Sequence, residues 1–124
     1  MKRFKLGAVL VVAAILASAG MAMAGTLDEV RAKGFVQVGV NGGVFGFSMP
    51  DEKGVWKGLD ADTGRAIAAA VFGDASKIKF VALTAVQRLP ALQSKEIDVL
   101  CRNTTRTLTR ETTNGLNFCH VNYY

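Results

Sequence analysis

Histidine is nearly absent from this chain, and its scarcity narrows the chemistry that the protein can perform. Of 124 residues, His120 is the only histidine. With one histidine and no second cysteine at ligand spacing, the sequence offers no metal site. No serine lies in a Gly-x-Ser-x-Gly elbow, and the glycines of GVNGGVFG match neither a phosphate loop nor a dinucleotide fingerprint. We therefore expect a protein that is not an enzyme and that uses no metal or cofactor.

Only one long apolar stretch is present, and it lies at the start of the chain. A basic beginning precedes an uninterrupted apolar or small run at 6–17, and small residues follow up to Ala-Met-Ala at 22–24. That order is typical of a secretory signal peptide. We expect residues 1–24 to be a signal peptide cleaved after Ala24, which leaves residues 25–124 for one small domain; a membrane anchor is the alternative.

Charge is not strongly biased once that segment is set aside. The whole chain carries a formal net charge of +5, from 15 basic and 10 acidic residues. Lys2, Arg3 and Lys5 lie in the expected signal peptide, so its removal leaves 12 basic against 10 acidic residues, or +2. Such a balance predicts no general affinity for nucleic acid or for a membrane surface.

The two cysteines leave two interpretations open. In an oxidising compartment, Cys101 and Cys119 could form a disulfide. Sequence spacing cannot establish that their Cα atoms come close enough, so two buried thiols are as good an interpretation as a bridge.

The alternation of patterns along residues 25–124 indicates an α/β fold. Valines at 36, 38 and 40 predict a strand, and the order continues as hairpin, helix, strand, helix, strand. Short connections favour parallel neighbours in the sheet, joined by right-handed crossovers. The expected elements are a helix at 26–34, a strand at 35–40, a hairpin at 48–58, a helix at 63–73, a strand at 77–83, a helix near 84–94 and a strand at 96–101.

Short polar residues mark where the helices should begin. A threonine or aspartate before an apolar run can cap the first turn, and a glutamate or glutamine three residues after a threonine completes a capping box. For the second helix, the apolar spacing puts Ile67, Ala70 and Val71 on the buried face. The predicted caps are Thr26 with Glu29, then Asp60 or Asp62, then Thr84 with Gln87 in a helix that Pro90 delays.

Two loops stand where such a sheet binds ligands, beyond the carboxyl ends of its strands. One is the glycine-rich loop 41–47, and the other is 102–110 within RNTTRTLTRET, which holds three arginines and five threonines. A guanidinium can hold a carboxylate through two parallel hydrogen bonds, which threonine hydroxyls and free N–H groups can complete. The alternative is that Arg102, Arg106 and Arg110 are solvated surface charges. Their grouping at one strand end favours an anion site.

The sequence of this chain resembles that of a known protein family. From 26 to 124 the chain is similar to the periplasmic amino-acid-binding proteins of ABC transporters, that is, solute-binding protein family 3, and most of all to the general, polar L-amino-acid-binding type. The motifs that carry the resemblance are GLDAD at 58–62, LQS at 92–94, IDVL at 97–100 and NTT at 103–105.

The resemblance implies roles for particular residues. Arg110 matches the arginine that grips the ligand α-carboxylate, and Thr105 matches a residue whose N–H and hydroxyl contact the same group. Asn103 matches the position whose main-chain carbonyl meets the α-ammonium. Asn41, with the glycine loop after it, matches one wall of the side-chain pocket, and Ala85 lines another side.

The same resemblance implies an architecture and a cellular role. It implies a two-lobed clamshell, with residues 25–124 as the first lobe, a mostly parallel sheet flanked by helices, and the second lobe absent after FCHVNYY. The expected protein is a periplasmic monomer that captures a free polar L-amino acid for an ABC permease in the inner membrane, weakly because half of the cleft is missing. The alternatives are a ligand-independent, partner-binding lobe and a non-functional gene fragment. Which amino acid is bound stays open.

Overall fold

Residues 25–121 and Tyr123 are described by the structure, a computed structural model of the chain. The expected signal peptide, and the alternative of a membrane anchor, fall on residues 1–24 and lie outside the described residues. Within the described part, no helix has the length and apolar character needed to cross a membrane. The elements are α1 (Thr26–Lys33), β1 (Val36–Val40), β2 (Met49–Pro50), β3 (Trp56–Lys57), α2 (Leu59–Phe72), β4 (Ile78–Ala82), α3 (Arg88–Gln93), β5 (Val99–Leu100) and α4 (Leu108–Thr112).

A parallel sheet in the order β4–β1–β5 organises the fold. In its register Val38 lies opposite Phe80 on one side and Val99 on the other. β2 and β3 form a separate antiparallel pair, which confirms the expected hairpin. The expected α/β fold with a mostly parallel sheet is confirmed as well, and the short crossovers place all three carboxyl ends at one edge of the sheet.

Apolar side chains cover both faces of the sheet. On one face Val36, Val38 and Val40 pack with Val30 of α1 and Ala68 of α2. On the other face a smaller cluster joins Ala91 of α3 to Leu83, which precedes that helix, and Ile97, which follows it. The absence of a side chain at Gly39 lets this smaller cluster pack against β1, because a Cβ there would lie 2.6 Å from Ile97 Cδ1. Helices therefore flank the sheet on both sides.

The caps predicted for the first two helices are wrong, and the reason is the same in each. α1 has Gly25 as its N-cap and no side-chain cap; the Gly25 carbonyl accepts from the N–H groups of Asp28 and Glu29 instead. α2 begins after Gly58, and the carbonyls of Gly46 and Phe47 accept from the first N–H groups of that helix. Backbone oxygens thus satisfy the donors that we assigned to side chains.

Because loop carbonyls bind the first N–H groups of α2, the Asp60 side chain does not act as a cap and turns inward, where the residue is only 1% exposed. Gly58 has to be glycine there, because its φ of 108° suits no other residue well and a Cβ would meet the Phe47 carbonyl at 2.6 Å. The close docking of α2 also shifts its buried face. Gly64 and Ala68 are buried, Ile67 and Val71 are half-buried, and Ala70, which we expected inside, is exposed.

The predictions for the rest of the chain have mixed outcomes. Thr84 and Gln87 do form the reciprocal bonds of a capping box: the Gln87 N–H donates to Thr84 Oγ1 over 3.3 Å, and the Thr84 N–H donates to Gln87 Oε1 over 3.1 Å. The pair closes the turn before α3, which begins at Arg88 with Gln87 as its N-cap, so the helix starts late as expected. The last strand is shorter than predicted, because the N–H groups of Glu96 and Ile97 turn back to the Ala91 carbonyl at the end of α3. The helix α4 lies within the segment that the sequence analysis treated as a loop.

Candidate functional site

Three connections meet at the carboxyl edge of the sheet and form an open depression of about 380 Å³. They follow β1, β4 and β5, so the site lies where parallel sheets generally bind ligands. Two of the residues predicted for the site, Asn41 and Ala85, line it. The full lining is Asn41, Gly42, Ala82, Leu83, Thr84, Ala85 and Arg102.

Asn41 joins the connection after β1 (the first loop) to the connection after β5 (the third loop). Its N–H donates to the buried Ser48 Oγ over 3.1 Å, which folds the glycine loop back on itself. Its side-chain Nδ2 donates to Asn103 Oδ1 over 3.4 Å, and its Oδ1 accepts from the Gly43 N–H over 3.3 Å. The two asparagines that the resemblance assigned to the site are therefore neighbours.

Arg110 and Thr105 also lie together, on the outer side of the third loop. Arg110 belongs to α4, whose first turn is capped by the Thr107 hydroxyl accepting from the Arg110 N–H over 3.3 Å. The guanidinium Nη1 of Arg110 donates to the Thr105 carbonyl. Neither residue lines the depression, and Thr105 is exposed. Their position beside Asn103 keeps the predicted residues at one edge, as a rim rather than a closed cavity.

The three arginines of the third loop have three different environments. Arg106 is exposed and pairs with Glu111, with Nε and Oε1 2.9 Å apart. Arg102 is half-buried, lines the depression and donates through Nη1 to the Leu83 carbonyl. Arg110 holds Thr105 as described above. The alternative of a solvated charge thus describes Arg106, whereas Arg102 and Arg110 are engaged at the edge.

Burial lowers the pKa of Arg102 below its usual value, and the charge of Arg88 acts in the same direction while Asp60 opposes it. A guanidinium stays protonated through such a shift. The lowered pKa therefore reflects mainly the burial of a charged group, and in part the positive charge of Arg88 nearby, which a bound anion would offset.

Arg88 is a residue at this edge that the sequence analysis missed. Its Nη1 donates to the Asn103 carbonyl over 3.3 Å and to Thr104 Oγ1 over 3.1 Å. Burial lowers the pKa of Arg88, and the nearby charge of Arg110 lowers it further. The signal was available: β4 also ends at the carboxyl edge, so the residues that open α3 belonged among the candidates.

The cysteines are not bridged. Cys101 is buried and Cys119 is exposed, and both are free thiols. Burial raises the pKa of Cys101 to about 12, and the negative charge of Asp60 adds to the effect. Cys101 therefore behaves as a small apolar side chain beneath the site, and the interpretation of two buried thiols is right for Cys101 and wrong for Cys119.

Comparisons with known proteins identify relatives of this chain. The chain is 51% identical over 124 residues to a general L-amino acid-binding periplasmic protein, AapJ, of Rhizobium johnstonii, covering all of this chain and 36% of the relative. It is 50% identical over 106 residues to the glutamate/glutamine/aspartate/asparagine-binding protein BztA of Rhodobacter capsulatus, covering 86% of this chain and 31% of the relative. The chain thus spans about a third of the length of these curated relatives.

Solved structures give the same answer for the fold. An ABC transporter periplasmic binding protein from Brucella ovis with glutathione bound superposes with a TM-score of 0.78 at 55% identity, over 81% of this chain and 31% of that one. The arginine-bound form of domain 1 from TmArgBP gives a TM-score of 0.59 at 31% identity, over 67% of this chain and 64% of that one.

The family model of bacterial extracellular solute-binding proteins, family 3, matches residues 36–118. That assignment bears out the expectation of a binding protein rather than an enzyme. The chain belongs to the bacterial extracellular solute-binding proteins, family 3.

Proposed function

We propose that this chain is the first lobe of a periplasmic protein that captures a polar L-amino acid by its α-carboxylate and delivers it to an ABC permease. The observation that carries the proposal is the gathering of Asn41, Asn103, Thr105 and Arg110 at one edge of the sheet. The periplasmic location and the permease partner are proposed because relatives are named as periplasmic, amino-acid-binding components of ABC transporters.

The carboxylate would bind at the rim formed by Arg110 and Thr105. Arg110 uses one nitrogen for the Thr105 carbonyl, and a guanidinium has five N–H donors in all, so a fork for a carboxylate remains. The exposed Thr105 supplies a hydroxyl beside it. A hydrogen bond to a charged group contributes about 1.5–3 kcal/mol, so the loss of Arg110 alone should be measurable. The α-ammonium would approach the Asn103 carbonyl.

The ligand side chain would occupy the depression beside Asn41 and Ala85. Polar groups from the Asn41 amide, Thr84 and Arg102 line that space, which favours a polar over an apolar side chain. The relatives support this class, since BztA is named for glutamate, glutamine, aspartate and asparagine. The Brucella ovis structure contains glutathione, which extends the class to ligands larger than one amino acid.

Capture by a first lobe alone has support from a relative. Domain 1 from TmArgBP is described in an arginine-bound form, so in that protein the domain holds its ligand. For this chain we expect weaker binding than in a closed cleft, because one lobe excludes less water and makes fewer contacts.

A second candidate, a lobe that binds a protein partner without ligand, is favoured by the apolar side chains beside the site. Phe45, Val86 and Leu108 are 90%, 83% and 74% exposed, and each stands on a different connection at the carboxyl edge. Exposed apolar side chains at the same edge of a sheet suit a surface that binds a protein. This candidate predicts association with a membrane partner that does not change when amino acids are added.

A thermal-shift panel of the twenty amino acids, on protein purified from the periplasmic fraction, tests the proposal. At least one polar amino acid should raise the melting temperature, and Arg110→Ala should abolish the rise. Arg31→Ala is the matched control, because Arg31 is exposed on α1, away from the carboxyl edge. A cooperative melt that no amino acid shifts would refute capture by this chain and leave the partner-binding candidate.

A further inference from the structure

Arg88 stands outside the predicted ligand loop, yet it determines where part of that loop lies. It is the first residue of α3, and it directly follows the turn that the reciprocal hydrogen bonds of Thr84 and Gln87 close. From there its Nη1 reaches both the Asn103 carbonyl and Thr104 Oγ1. One guanidinium nitrogen therefore joins the connection after β4 to the connection after β5.

Apart from the Thr104 N–H, which donates to the Arg102 carbonyl over 2.6 Å, the segment 103–104 has few other restraints. β5 ends at Leu100, and residues 105–107 are exposed. On one flank the Asn41 amide donates to the Asn103 side chain over 3.4 Å, a long hydrogen bond. On the other flank Arg88 makes two shorter ones, at 3.3 and 3.1 Å. The segment is clamped between Asn41 and Arg88, with Arg88 as the stronger side.

We propose that Arg88 is a positioning residue of the amino-acid site, which holds Asn103 and Thr104 in the conformation that binds ligand. The inference rests on the proposed function. A loop that is ordered before binding loses less conformational entropy when the ligand arrives, so the clamp should raise affinity without touching the ligand. The Asn103 carbonyl has two lone pairs, and the one that Arg88 leaves free stays available.

A direct electrostatic effect of Arg88 on the ligand is the competing explanation, since Arg110 lies close enough to lower the Arg88 pKa. The two explanations differ in two respects. Positioning acts partly through Thr104, so removal of the Thr104 hydroxyl should cost nothing further once Arg88 has been replaced. Positioning should also persist in high salt, which screens charges, whereas a direct electrostatic effect should not.

The test is a double-mutant cycle with L-glutamate as the probe, measured by calorimetry on the full exported chain. Arg88→Ala should weaken binding about tenfold, as expected for loss of hydrogen bonds from a charged donor. Thr104→Val should weaken it less, and the double variant should bind no worse than Arg88→Ala alone. Arg88→Lys should restore most of the affinity, and Arg31→Ala should leave it unchanged.

Failure of the positioning role and failure of the proposed function give different results in this experiment. Losses that multiply in the double variant, a loss that vanishes in roughly 0.5 M salt, or an Arg88→Ala affinity equal to the unsubstituted protein would each overturn the positioning role alone. Absence of binding by the unsubstituted protein to every amino acid in the panel would overturn the proposed function and this inference with it. Should Arg88→Ala fail to fold, Arg88→Gln takes its place in the same cycle.

Discussion

The two edges of the parallel sheet use charge in opposite ways. At the amino edge, lysines form ion pairs with acidic residues: Lys33 Nζ lies 2.6 Å from Asp98 Oδ2, and Lys95 Nζ lies 2.8 Å from Glu29 Oε1. At the carboxyl edge Arg106 pairs with Glu111, but the guanidiniums of Arg88, Arg102 and Arg110 donate to carbonyl and hydroxyl oxygens of the loops. These are neutral acceptors, which position an arginine without cancelling its charge.

The comparison suggests what each edge is for. At the amino edge, Asp98 Oδ2 accepts from the Lys33 ammonium and, over 2.7 Å, from the Gln37 N–H, so the charges stabilise the junction of α1, β1 and β5. At the carboxyl edge positive charge is retained, with Asp60 as the acid whose charge opposes it at Arg102. Retained positive charge at this edge, with Arg102 lining the depression itself, is what attracts an anionic ligand group.

The largest expected effect concerns the floor of the carboxyl edge. Cys101 lies there with its pKa raised to about 12, whereas Cys119 is exposed. Because the thiolate is the reactive form, an alkylating reagent at pH 8 should modify Cys119 more than about a hundredfold faster than Cys101. Peptide mass mapping over a time course measures both rates. Equal rates would show that solvent reaches beneath the loops, and unfolding in denaturant, the control, should make the two thiols alike.

The next effect tests the amino edge. Asp98→Ala removes the acceptor shared by Lys33 and the Gln37 N–H and leaves a half-buried ammonium with one fewer partner, so it should cost about 2–4 kcal/mol of unfolding free energy. Urea denaturation measures the loss. Asp98→Asn keeps an acceptor and should cost less. Amino-acid affinity of the folded protein should not change, and a parallel loss of affinity would contradict the separation between the edges.

The smallest effect is expected at the exposed pair of the amino edge. Lys95 and Glu29 are largely solvent-accessible, with side chains 68% and 44% exposed, and such pairs contribute less than about 1 kcal/mol. Lys95→Ala should therefore shift the urea midpoint only slightly, and the small difference should shrink in high salt. A loss as large as that of Asp98→Ala would mean that this pair belongs to the structural network of the edge.

Local patterns predicted the elements well because local forces make them. The valines of β1, the Asp51–Gly54 hairpin turn and the capping box of Thr84 with Gln87 involve neighbours within a few residues. The predicted caps failed where a backbone carbonyl took the place of a side chain: that of the neighbouring Gly25 at α1, and those of a more distant loop at α2. The carbonyl of Phe47 accepts from the Asp60 N–H, so the aspartate that suited a cap became a buried side chain.

The candidate site likewise combines features that the sequence predicts with features that depend on the fold. By itself, the sequence determined the parallel α/β order, the loops at the carboxyl edge and the presence of arginine and threonine beyond β5, because strand order and loop placement follow from pattern and connection length. Only the tertiary structure decided which hydrogen-bond acceptor each arginine contacts. Arg102 donates to Leu83 and Arg88 donates to Asn103, partners 19 and 15 residues away. A side chain's partner at that distance depends on how crossovers bring loops together, and no local sequence pattern contains that information.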